Sequence, residues 1–322
     1  MGKEIGGYFS LELKEVLKED SFHSYGLYLN SGRNALEFIL SSLPTIKRLW
    51  IPFFTCDVVL EPILKLGISY CFYSINEDLE LSESVPLAPD EYLLVTNYYG
   101  IKDSYIQELS QVYGSQLIVD NAQALYANPI IGIKTFYSPR KFVGIPDGGI
   151  VYMKDGKDIQ LFDMDISHDR LSHLLKRIDL NAGAGYTDFK ENSRKLANQP
   201  IRRMSKLTRS LFDSIEFEEI KEKRKRNFQI LHETLGNTNR LAIPDMNTFA
   251  CPLVYPYFTS DSTLKKKLIE NKIFVATYWP NVLEWCKKDS LEYQFADNVI
   301  AIPIDQRYGL EEMNRIIENI IQ

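Results

Sequence analysis

Between residues 31 and 153 short apolar runs alternate with segments of helical period, and this alternation restricts the fold more than any other feature. RNALEFILSSL (33–43) spaces its apolar residues as a helix does, and RLWIP (48–52) is a buried strand closed by proline. CDVVLEPILKLG (56–67) and SYIQELSQVYG (104–114) are predicted helices, each ending in a glycine suited to the C-terminal cap. SYCFYSI (69–75), YLLVTNYYG (92–100), QLIVDNAQA (116–124), KTFYSP (134–139) and GGIVYM (148–153) are predicted strands. Strands that alternate with helices imply an α/β fold with a mostly parallel sheet covered on both faces.

After about residue 155 the character changes. Residues 168–235 are polar and helical. From 249 to 305 the order is strand (FACPLVYPYF), helix (STLKKKLIENK), short strand (FVATYW) and strand (VIAIPI), before a last helix, GLEEMNRIIENII. The expected organisation is a large domain over 1–165, a helical connector over 166–240 and a small C-terminal α+β domain over 241–322. A chain of 322 residues is long enough for that.

Composition removes several classes of function. The net charge of −6 gives no footprint for nucleic acid or anionic membrane. The basic run Lys221–Arg226 is interrupted by Glu222 and follows three acids, as on a solvated helix face. No stretch reaches the length of a membrane span, and the start MGKEIGGYFSLELKE lacks the apolar run of a signal peptide. Cys56, Cys71, Cys251 and Cys286 form no CxxC pair, and His23, His168, His173 and His232 form no ligand pair, so no metal is expected. Free thiols and a cytoplasmic location follow as expectations.

In open α/β sheets ligands collect beyond the carboxyl ends of the strands. The first such loop carries Ser31-Gly32-Arg33 at the start of a helix, where backbone N–H groups and the helix dipole favour an anion. The strand VTN leads to Tyr98, the strand LIV to Asp120 and Gln123, and the next strand to Ser138 and Lys141. Each residue alone has an ordinary explanation: an N-cap, a turn cap, a polar loop residue, a surface lysine. In this order they match pyridoxal 5'-phosphate. Its aldehyde needs an amine for a Schiff base, its ring nitrogen a facing carboxylate, its 3' oxygen a hydrogen-bond donor and its phosphate a helix N-terminus. On this reading Lys141 is buried, because desolvation favours the neutral amine.

These stretches resemble the fold-type I aminotransferases, in particular the DegT-type branch that acts on nucleotide sugars. The resemblance runs over NSGRNALEFIL, IPFFTCDVVLEPILKLG, VDNAQA, SPRKFVGIPDGG, GAGYTDF and AIPIDQRYG. It implies a seven-stranded-type sheet in the large domain. It implies that Lys141 is the catalytic lysine and that Ser31, Gly32, Arg33 and Ser138 hold the phosphate. Asp120 would pair with the ring nitrogen and Gln123 would meet the 3' oxygen. It also implies a homodimer with shared active sites, in which GAGYTDF carries Thr187 to the neighbour's phosphate. The implied reaction moves an amino group, from glutamate in most relatives, to a keto sugar of surface polysaccharide or a related glycan.

Three positions depart from the family pattern. Cys56 stands where an aromatic or His residue covers the cofactor ring, leaving Phe54 or Tyr98 to do so. Thr187 replaces the usual Asn, and Arg33 replaces the usual Thr, to serve either the phosphate or the substrate pocket. Tyr8, Tyr98 and Arg307 are the candidate substrate contacts; surface packing is the other reading of Tyr8, and a surface salt bridge that of Arg307. A helix N-terminus lowers a thiol pKa, which makes Cys56 a candidate reactive thiol. It lends support to a lyase or desulfurase of the same fold. A degenerate scaffold is the non-enzymatic alternative.

Overall fold

The computed structural model describes residues 5–14, 19 and 21–321. Its centre is a seven-stranded sheet built from β1 (Leu27–Leu29), β2 (Arg48–Pro52), β3 (Ser69–Tyr73), β4 (Glu91–Thr96), β5 (Leu117–Asp120), β6 (Lys134–Tyr137) and β7 (Gly149–Tyr152). The order across the sheet is β1-β7-β6-β5-β4-β2-β3. The pairs from β3 through β6 are parallel, and β7 runs antiparallel to both β6 and β1. This is the mostly parallel sheet that the alternation predicts. β1 is the strand that sequence reading missed. It has three residues, too few to show a period.

The two faces of the sheet are sorted by strand period. Leu94, Ile118, Phe136 and Val151 pack on one side with Leu36 and Ile39 of α1 (Gly32–Ser42) and Ile63 of α2 (Leu60–Lys65). Leu93, Val95, Leu117, Val119 and Ile150 pack on the other, with Ile106 and Leu109 of α3 (Asp103–Tyr113). Both faces are covered, which is why β4 and β5 are buried throughout and apolar at nearly every position.

A hairpin of α4 (Ser172–Asp179) and α5 (Ala182–Lys195) follows the sheet, then α6 (Lys206–Asp213) and the long α7 (Phe217–Leu235). The C-terminal part pairs β8 (Val254–Phe258) with β9 (Val299–Pro303) antiparallel, around α8 (Leu264–Glu270), α9 (Val282–Trp285), α10 (Leu291–Asn298) and α11 (Leu310–Ile321). FVATYW forms no strand; only Ala276 bridges to Ala301. The C-terminal part and α7 share one apolar core with the second face of the sheet, through Phe228, Leu231, Tyr255 and Ile302. No described helix is long and apolar enough to cross a membrane.

Candidate active site

The carboxyl ends of β4, β5 and β6 bring Tyr98, Asp120, Gln123, Ser138 and Lys141 to one edge of the sheet. Asp120 is the last residue of β5 and is buried. Its Oδ1 accepts a hydrogen bond from the Ala122 N–H at 2.8 Å. Burial pushes its carboxyl pKa up, while the charge of Lys141 and the Ala122 bond pull it down. The lysine and the carboxylate therefore feel one another across the cleft.

Gln123 is almost fully buried. Its Oε1 accepts from the Tyr99 N–H at 2.7 Å. Only an oxygen can accept that bond, so the amide orientation is fixed and the NH2 group points the other way. That Nε2 is buried and has no hydrogen-bond partner among the described residues. Gly100 holds the arrangement: its φ is +74°, and a Cβ there would stand 2.6 Å from the Gln123 carbonyl oxygen. An unpaired buried amide costs about 1–3 kcal/mol, and a site that takes up an acceptor accounts for such an expense.

Ser31 caps α1. Its Oγ accepts from the Asn34 N–H at 3.1 Å and donates to Asn34 Oδ1 at 2.6 Å. Gly32 faces Ser138 so closely that a Cβ would lie 3.2 Å from Ser138 Cβ and 3.3 Å from its Oγ. Gly149 lies against the same turn; a Cβ there would collide with the Ser31 carbonyl oxygen and stand 2.5 Å from its carbonyl carbon. The Gly-Gly pair is thus needed to let β7 run beside the Ser31 turn, where the Gly148 N–H donates to Asn30 O at 2.9 Å. Below this loop Asp147 is fully buried, accepts from Thr208 Oγ1 at 2.6 Å and faces Arg170 at 3.1 Å.

Several side chains stand elsewhere than the sequence suggests. Lys141 is exposed, not buried: it ends a short turn that begins at Pro139, on the open rim of the cleft. Burial pushes the Cys56 thiol pKa up, and the opposing charge of Lys141 is the smaller influence. Burial therefore weighs against an acidified thiol at Cys56. Tyr98 is buried with its hydroxyl donated to Phe54 O at 2.9 Å, and Phe54 is enclosed by Tyr98, Trp279 and Phe295. Tyr8 is exposed, and so is Thr187 on α5. Arg307 forks onto Asp305 at 2.6 and 2.7 Å, the salt bridge that the sequence left open.

Sequence reasoning missed Arg140, Arg224 and Gln306. Arg224 lies on α7 and is fully buried. It donates to Phe142 O at 3.1 Å, to Leu253 O at 2.9 Å and to Gln306 Oε1 at 3.1 Å. Gln306 Nε2 donates to the same Phe142 carbonyl at 3.0 Å. The residue after Lys141 is therefore held twice, from α7 and from the C-terminal part. Charge does not separate Arg224 from the lysines and arginines around it; its helical spacing from Phe217, Phe228 and Leu231 does.

No protein-family model and no curated protein sequence matches the chain. Solved structures do. Spr1654 from Streptococcus pneumoniae, in its PMP form, aligns at a TM-score of 0.65 and 14% identity over 96% of this chain and 92% of its own. The sugar aminotransferase CalS13 from Micromonospora echinospora aligns at 0.63 and 15% identity over 92% of this chain and 87% of its own. The GDP-4-keto-6-deoxymannose-3-dehydratase ColD, with bound GDP-perosamine, aligns at 0.63 and 13% identity over 92% of this chain and 88% of its own. Over nearly its whole length, the chain has the fold of these sugar-modifying enzymes.

Proposed function

We propose that this protein is a pyridoxal 5'-phosphate-dependent aminotransferase. It takes an amino group from a donor, glutamate in the first instance, and gives it to a keto sugar carried on a nucleotide, for surface polysaccharide or a related glycan. The observation that carries the reading is the buried, unpaired Gln123 amide beside Asp120, with Lys141 on the same edge of the sheet. The residues fit the cofactor: Gln123 offers a donor for the 3' oxygen and Asp120 a carboxylate for the ring nitrogen. The turn at Ser31-Gly32, crowded against Ser138, offers backbone N–H groups for the phosphate.

Bound there, the cofactor supplies an aldehyde for amines and a ring that takes up the electron pair released at the donor's Cα. Lys141, as a neutral amine, would take the proton from that Cα, and the ammonium so formed would return a proton to the product. Asp120 is kept from water, so its charge acts on the ring nitrogen with little screening. Gln123 orients the ring through its free N–H.

Shared active sites in a homodimer belong to the same reading. The α4–α5 hairpin exposes Leu175, Ile178, Leu180, Tyr186 and Phe189, an apolar face suited to a second copy. The lyase alternative draws on Cys56, and burial, which pushes that thiol pKa up, weighs against it. Among the fold's occupants is a dehydratase, and Lys141 argues for amine transfer instead.

The test is an absorbance spectrum of the purified protein with pyridoxal phosphate, before and after glutamate. Borohydride fixation then locates the attachment by peptide mass. A visible band that glutamate shifts, with mass added at Lys141 and none in Lys141→Ala, supports the reading. A flat spectrum after added cofactor sinks it and moves the scaffold reading to first place.

A further inference from the structure

Two arginines converge on the turn that faces Ser138. Arg33 directly follows Gly32, Arg140 follows Ser138 by two residues, and Gly32 and Ser138 are in contact. Arg33 has one acidic neighbour, Glu61, at 3.6 Å from its Nε. Its Nη1 is buried and has no hydrogen-bond partner among the described residues. Arg140 is half-buried and makes one long hydrogen bond, to the neutral Ser193 Oγ at 3.4 Å. Among the described residues no carboxylate comes within ion-pair distance of Arg140. Asp147, the acid nearest in sequence, is already engaged by Thr208 and Arg170. The two guanidinium groups also repel: after burial, the charge of Arg33 is the main influence pulling the Arg140 pKa down. The His173 Nδ1 is likewise buried without a hydrogen-bond partner among the described residues, and the charge of Arg140 reaches that ring.

Like charges held together with unspent donors are a standing cost unless an anion joins them. Guanidinium forks match the oxygens of a phosphate ester. We propose that Arg33 and Arg140 form a two-arginine clamp on the phosphate of the cofactor. The inference rests on the proposed function. Arg33→Met and Arg140→Met keep the length of the side chain and remove the charge.

The experiment compares pyridoxal phosphate with pyridoxal, which lacks the phosphate, by absorbance titration and borohydride fixation at Lys141. Binding of inorganic phosphate and of uridine diphosphate is measured by calorimetry on the same proteins. Each Met variant should lose about tenfold or more in affinity for pyridoxal phosphate and for inorganic phosphate, the loss typical of one charged hydrogen bond. Affinity for pyridoxal should change less than about twofold. Equal losses on pyridoxal and its phosphate would reveal a merely structural role and overturn the clamp. So would loss of uridine diphosphate binding with pyridoxal phosphate untouched, which moves the arginines to the substrate. If wild type fixes neither aldehyde at Lys141 yet binds inorganic phosphate through both arginines, the proposed function falls and the anion site stands. If it fixes pyridoxal phosphate and the variants do so equally well, the clamp falls and the function stands.

Discussion

Replacing Arg224 with methionine tests how the lysine-bearing loop is held. Arg224 is a buried cation with three neutral acceptors and, among the described residues, no carboxylate ion pair. Its guanidinium also sits over the Phe142 ring at 4.8 Å. In Arg224→Met the Leu253 carbonyl and Gln306 Oε1 lose this donor, while Phe142 O keeps its bond from Gln306. The buried Leu253 carbonyl left unmet costs roughly 1–3 kcal/mol, and the half-buried Gln306 Oε1, which water can reach, costs less. The variant no longer buries an unpaired cation, which returns part of that sum. The net expectation is a loss of about 1–3 kcal/mol.

Urea unfolding followed by the fluorescence of Trp50, Trp279 and Trp285 reads this directly. Arg224→Lys is the control. It keeps the charge but not the fork, so the cation stays desolvated and the same acceptors go short; it should be no more stable than the Met variant. Phe142 follows Lys141, so the folded Met variant should also fix pyridoxal phosphate at Lys141 more slowly. A Met variant as stable as wild type would refute the reasoning, because it would show that the three bonds only offset the burial of the charge. A fully stable Lys variant would refute the claim that the fork geometry matters.

Three further outcomes follow from the same geometry. Gly149→Ala places its methyl group inside the Ser31 carbonyl, a backbone atom that cannot swing away, and should cost at least about 3 kcal/mol in urea unfolding. Gln123→Leu loses the bond to the Tyr99 N–H but also removes the unpaired amide, so stability should fall by less than about 1 kcal/mol while retention of pyridoxal phosphate on dialysis falls sharply. His23 is half-buried, with its pKa pushed down to about 4 by desolvation, against an ordinary 6.5. The unfolded chain binds that proton first, so His23 contributes stability above pH 6.5 that drains away as the pH falls toward 4. At about 1.4 kcal/mol per pH unit, roughly 3 kcal/mol is at stake. His23→Asn, which tolerates the local φ of 61°, should flatten the profile in that window relative to wild type. A parallel profile would refute the assignment.

The sheet was legible because its cause is local. Period, length and terminal glycines lie within a dozen residues, and β2, β4, β5 and β6 occur where the apolar runs are. The order Asp120, Gln123, Ser138, Lys141 was legible for the same reason, since consecutive crossovers deliver consecutive strand ends to one edge. Burial at the rim was not. Whether Lys141 is covered depends on elements distant in the chain, and no periodicity in SPRKFVG reports on them.

Arg224 makes the limit sharper. It stands in a run of six residues that contains five cations, Lys221 to Arg226, and pattern alone reads that run as a solvated face. Lys223 and Arg226 are exposed, and Lys221 and Lys225 are half-buried. The fifth is selected by helix geometry, because Arg224 falls on the stripe with Phe217, Phe228, Leu231 and Leu235, which faces the core. A helical period of 3.6 residues, laid through Phe217, Phe228 and Leu231, puts Arg224 on the inner face from the sequence alone. An arginine inside must have acceptors, and carbonyls are what a loop and a strand edge offer. Charge belongs to the run of residues, whereas burial belongs to the face of the helix, and the two coincide only when the whole run is solvated.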